Sequence, residues 1–115
     1  MADTLLNYID AFVGGFSLKY NKYYIGLMHD GTAKNFVAFG PRKTMLCLDV
    51  RLKKSDAVDE IIDKSNLDLR GYDKQFNNYC FRLKQDDLIG SKDVLMTLFK
   101  MAYEAYTGNK LDAQE

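Results

Sequence analysis

No tryptophan, one proline, one histidine and two cysteines occur in this chain of 115 residues, and each scarcity closes off a class of protein. Cys47 and Cys80 are too few to staple a disulfide scaffold, and neither has the CxxC or Cys-His spacing of a redox or metal motif. With His29 alone, a histidine-rich metal site or a Ser-His-Asp triad lacks its partners. Pro41 is the single proline, and no Ser/Gly-rich or repetitive stretch marks a linker or an internal repeat. One domain is therefore expected. No apolar run approaches the ~20 residues of a membrane span, and Met1-Ala2-Asp3-Thr4 lacks the basic start of a signal peptide. A cytoplasmic location without a membrane or metal partner is the expectation. Charge of one sign is also missing: Lys+Arg and Asp+Glu both count 16, so no global field draws in an anionic polymer. Any nucleic-acid site must be a local patch.

Hydrophobic residues make up 47% and charged residues 28%, enough apolar surface to build a core. Over residues 3–13, Leu5, Leu6, Ile9, Phe12 and Val13 recur at helical spacing, and Gly14-Gly15 stops the helix. The Tyr-rich run 18–28 reads as one strand, turned by His29-Asp30-Gly31 into a second strand over 35–39. Gly40-Pro41-Arg42-Lys43 makes a further turn. Residues 44–52 then alternate, with Leu46, Leu48, Val50 and Leu52 on one face and Met45, Cys47, Asp49 and Arg51 on the other, the period of a strand with one face on the core. Ser55 caps a short helix with Val58, Ile61 and Ile62 inward. A polar, turn-rich segment leads to a fourth strand over 78–83, and Ser91 caps a long helix that ends at Gly108. The expected fold is α+β in the order α-β-β-β-α-β-α, an antiparallel sheet of about four strands with helices packed on one face. The domain covers residues 1–108, and residues 109–115 form a mobile tail.

Few groups in this pattern can carry chemistry. His29 reads as an exposed turn residue. Cys47 and Cys80 read as buried, reduced thiols that pack as small hydrophobes under a helix or a sheet edge. The pairs Asp59-Glu60 and Asp86-Asp87 fall near helix starts, where the helix dipole explains acids without catalysis. No phosphate loop, dinucleotide fingerprint or nucleophile elbow is present, so neither a cofactor nor an enzyme activity is expected. What remains is basic residues interleaved with aromatics: Tyr20, Lys22, Tyr23 and Tyr24 in the first strand, Lys34 in one turn, Arg42 and Lys43 in another, and Arg51, Lys53 and Lys54 at the end of the third strand. Hairpin tips of this kind can straddle a phosphate backbone while tyrosines stack on bases. The plainer account makes the tyrosines half-buried strand residues and the lysines guards of sheet edges.

The series YIGL, NFVAFGPRK, LDVRL, NLDL, NNYCFRL and MAYEAY, between Tyr24 and Tyr106, resembles a small bacterial domain family labelled a predicted transport protein. That family occurs alone or at the end of larger proteins linked to DNA restriction and phage defence. More remotely, the order of elements is similar to the MmcQ/YjbR-like double-wing fold, associated with DNA binding. That resemblance implies one wing at Arg42-Lys43 and another at Lys74 with Asn77-Asn78. The tryptophan common in the second wing is absent here, where Phe76-Asn77-Asn78-Tyr79 stands instead.

These readings lead to a non-enzymatic binding module that engages nucleic acid, or a nucleic-acid-processing protein, through Tyr20, Tyr23, Lys34, Arg42, Lys43 and Lys74. The alternative is a protein-protein interaction domain acting as regulator, inhibitor or subunit of a larger assembly such as a bacterial defence system. Because Pro41 fixes φ and stiffens its turn, Arg42 and Lys43 are expected to be exposed between adjacent antiparallel strands, above a buried Phe39 and Leu46.

Overall fold

The computed structural model describes residues 1–108. The mobile tail expected over 109–115 lies outside the described residues. Helix α1 (Ala2–Asp10) is followed by β1 (Phe16–Tyr20), β2 (Ile25–His29), β3 (Thr32–Ala33), β4 (Val37–Pro41) and β5 (Leu46–Arg51). Then come α2 (Asp56–Asp63), β6 (Asp68–Asp73), β7 (Asn78–Leu83), α3 (Gln85–Gly90) and α4 (Lys92–Thr107). The strands form one antiparallel sheet in the order β1-β2-β4-β5-β7-β6, with β3 paired to β2 beside the main path.

Among the described residues the sheet therefore has seven strands, not the four or so read from the sequence. Three local causes account for the difference. The run 18–28 is not one strand, because the chain reverses at residues 21–24, where the Asn21 N–H donates to the Tyr24 carbonyl at 2.9 Å. Asp30 (φ 52°) and Gly31 (φ 78°) both take positive φ, the requirement of the tightest hairpin turn, and so add the short strand β3. The polar segment before β7 is the strand β6, whose exposure at the sheet edge removes the hydrophobic alternation that would announce it. Its charged side chains suit an unpaired edge. A register shift between Leu69 and Gly71 bends it further.

Between β3 and β4 the ladder is interrupted, and a side chain fills the gap. The Leu27 N–H donates to Asn35 Oδ1 at 2.8 Å, so the amide oxygen stands where a backbone carbonyl would be. Gly26 makes room for this: a Cβ there would collide with the same Asn35 Oδ1.

The alternation of β5 is as the sequence foretold, with Leu46, Leu48 and Val50 buried. They join Val37 and Phe39 of β4 and Tyr79, Phe81 and Leu83 of β7 on the face covered by the helices, where Leu5, Ile9, Leu95, Leu98, Phe99 and Ala102 meet them. Each side chain so buried contributes about 1.5–3 kcal/mol relative to exposure. Ser55 caps α2 as expected, accepting from the Val58 N–H at 3.2 Å. Gly108 ends α4 in the left-handed conformation (φ 74°). The short helix α3 was not expected; the chain after β7 makes this extra turn before α4 begins at Lys92, and Ser91 at the N-cap position makes no side-chain cap bond, unlike the expectation.

Candidate binding surface at one end of the sheet

Strand direction decides which turns can act together. β1 runs toward the turn at residues 21–24, and β4, antiparallel to β2, runs the same way and ends at the turn at 42–45. These two turns share one end of the sheet. β6 runs against β7, which in turn runs with β4, so the turn at 74–77 lies at the opposite end. The segments that the double-wing comparison would pair, Arg42-Lys43 and Lys74 with Asn77-Asn78, are thus at opposite ends. Lys34 belongs to neither end: it is half-buried between β3 and β4, its N–H on the Leu27 carbonyl at 2.9 Å, in a cleft with Phe16, His29, Tyr103 and Tyr106. Of the six residues singled out in the sequence, the structure brings together Tyr20, Tyr23, Arg42 and Lys43.

At that shared end the tyrosines project into solvent, Tyr20 at 70% and Tyr23 at 80% exposure. Lys22 Nζ sits 5.4 Å from the centroid of the Tyr23 ring, a cation over a π face. The second turn is closed by the Arg42 N–H donating to the Met45 carbonyl at 2.8 Å, and Arg42 Nη1 folds back onto the Pro41 carbonyl at 3.0 Å. Phe39 and Leu46 are buried beneath this turn while Arg42 and Lys43 are exposed. Among the described residues, Lys22, Arg42 and Lys43 have no ion-pair partner. One exposed tyrosine on a surface needs no explanation; two of them beside three cations without ion-pair partners among the described residues make an exposed patch of mixed chemistry.

The open face of the sheet carries both cysteines. Asp49 faces Cys80 across the β5–β7 pair, and Cys47 faces Arg82. Burial, a hydrogen bond with Asp49 and that carboxylate's charge push the Cys80 thiol up to about 12, so it stays protonated and is a poor nucleophile. His29 is not the exposed turn residue expected: it ends β2, half-buried, with its ring tilted against Phe16 at a centroid distance of 5.0 Å and Nδ1 3.3 Å from the Asp30 carboxylate. Among the described residues no three His, Cys, Asp or Glu side chains gather as a metal site would require.

One polar cluster escaped the sequence reading. The buried Tyr79 hydroxyl donates to Asp59 Oδ1 at 2.8 Å and accepts from the Ser55 N–H at 3.2 Å, while Lys54 Nζ reaches Asp59 Oδ2 at 2.7 Å. The Tyr72 ring packs on Tyr79 at 4.7 Å, and its hydroxyl holds the Leu52 carbonyl at 2.8 Å. Hydrogen bonds from Lys54 and Tyr79 hold the Asp59 carboxyl below the usual aspartate range, and burial pushes the Tyr79 phenol up to about 12. Every group here is committed to fastening the start of α2 onto β7. The cluster is a clasp. Only the aromatic character of β7 hinted at it, since Asp59 and Tyr79 stand 20 residues apart.

A small α+β domain with an exposed strand-turn edge is the class that this architecture defines. The chain belongs to the family described as a domain of unknown function (DUF5655), which matches residues 1–105. No curated protein and no solved structure matches it significantly. Among the described residues no helix is long and apolar enough to cross a membrane.

Proposed function

We propose that this domain is a non-enzymatic binding module that engages nucleic acid, or a protein that handles it, through Tyr20, Lys22, Tyr23, Arg42 and Lys43. A cytoplasmic setting and an association with DNA restriction or phage defence belong to the same proposal. The observation that carries it is the placement of two β-turns at one end of the sheet, presenting two exposed tyrosines and three cations that have no ion-pair partner among the described residues. Phosphates attract the cations, and unpaired bases stack on the rings. Because the chain as a whole is neutral, the attraction is local and short in reach. Single strands are favoured over duplex, since a duplex hides its base faces from tyrosine. Fluorescence anisotropy with labelled single-stranded and duplex DNA at two salt concentrations tests this. The expected result is tighter single-strand binding that weakens with salt, with a log–log slope of roughly −2 for three phosphate contacts. Equal or absent binding at low salt would remove direct nucleic-acid binding from the proposal.

A further inference from the structure

Ser91 is the only buried polar residue among those described, at 7% exposure. Its backbone is fully used, the N–H donating to the Asp87 carbonyl and the carbonyl accepting from the Leu95 N–H, each at 2.9 Å. Its hydroxyl has no partner among the described residues. The contrast with Ser55 is direct. Ser55 at the start of α2 is extended (φ −151°, ψ 156°), and its oxygen accepts from the third N–H onward. Ser91 at the start of α4 has φ −116° and ψ 22°, a conformation in which the side chain does not cap the helix. A buried hydroxyl left unsatisfied costs free energy that a native structure rarely tolerates without a reason.

A cleft of about 390 Å³ opens at this point, lined by Lys64, Ser65 and Asn66 on one wall and by residues 89–94 on the other. The first N–H groups of α4, on Lys92, Asp93 and Val94, have no acceptor within the helix, and a 16-residue helix puts partial positive charge there. Lys64 and Lys92 border the cleft. Lys64 meets Glu60 at 3.4 Å, a contact exposed on both sides and thus weak, and Lys92 Nζ lies 5.5 Å from the Tyr8 ring. Asp93, exposed in the first turn of α4, is the opposing charge on the wall.

We propose that this cleft binds a phosphate group, free or carried on a small phosphomonoester, through the Ser91 hydroxyl, the amides of Lys92 to Val94, and the ammonium groups of Lys64 and Lys92. A tetrahedral oxyanion supplies an acceptor for the hydroxyl and the amides, a counter-charge for Lys92, and a partner for Lys64 that competes with its exposed pair to Glu60. The site shares no residue with the strand-turn surface, so either can fail without the other.

Titration of the ¹⁵N-labelled protein with inorganic phosphate, and separately with phenyl phosphate, at constant ionic strength tests it. Expected are saturable shifts of the Lys92, Asp93 and Val94 amides, with phenyl phosphate also moving Ile89 on the rim if the natural ligand is an ester. Ser91→Ala should weaken binding about tenfold, the loss of one hydrogen bond to an anion. It should not lower the melting temperature in anion-free buffer, because that hydroxyl stabilises nothing in the free protein. Asp93→Asn should tighten binding. Should Ser91→Ala fail to fold, the hydroxyl is structural and the proposal falls, and Lys64→Met with Lys92→Met supplies an independent check by abolishing the shifts. Shifts that never saturate up to tens of millimolar, that scatter over surface lysines, or that persist unchanged in Ser91→Ala also overturn it.

Discussion

Asp59 shows how one side chain can be read correctly in its local role and missed in its larger one. Its position in the first turn of α2 favours a negative charge, as the sequence suggests. Its partners Lys54 and Tyr79 come from outside the helix and could not be paired by periodicity. Because those partners lower its pKa, Asp59 binds a proton less readily folded than unfolded. The stability it contributes is present above the ordinary aspartate value of about 3.9 and is lost as pH falls through its lower folded value. Thermal melts from pH 7 down to about 2.5 should therefore show the wild type losing stability steeply below about pH 4. Asp59→Asn should start lower and fall less steeply over that window. Parallel curves for the two proteins would mean that the clasp is not formed in solution.

Elements were legible where one physical rule governed them alone. The β5 alternation, the Ser55 cap and the Gly108 stop each rest on a single local requirement, and each stands as expected. The turn at residues 21–24 contains neither glycine nor proline, and β6 has the composition of a loop because its edge faces water. Neither carries a signal that periodicity detects. The repair of the β3–β4 break by Asn35 is similarly invisible until the strands are paired. It makes Gly26 a sensitive position. Alanine in a strand is intrinsically better than glycine by about 0.5–1 kcal/mol, but the collision with Asn35 Oδ1 forces a backbone or side-chain shift costing about 1–3 kcal/mol. The clash wins. Gly26→Ala should lower the melting temperature by roughly 5–10 °C in a domain of this size, and a melting temperature that rises would show that Asn35 is free to move aside.

At the scale of the molecule, topology sorted the basic residues more sharply than sequence could. Lys34, Arg42, Lys43 and Lys74 looked alike as cations near turns, yet strand direction sends Lys74 to the far end and the β3–β4 junction draws Lys34 inward. Only Arg42 and Lys43 stay beside the exposed tyrosines. Whether that end of the sheet is the binding surface is decided most directly by reversing charge at each end separately. Arg42 and Lys43 are exposed and have no ion-pair partner among the described residues, so in Arg42→Glu/Lys43→Glu the melting temperature should stay within a few degrees of wild type. Affinity for single-stranded DNA should drop at least tenfold, as expected when two attractive phosphate contacts become repulsive. Lys74→Glu at the opposite end should bind as the wild type does. Equal losses in both variants, or a loss in Lys74→Glu alone, would contradict the account.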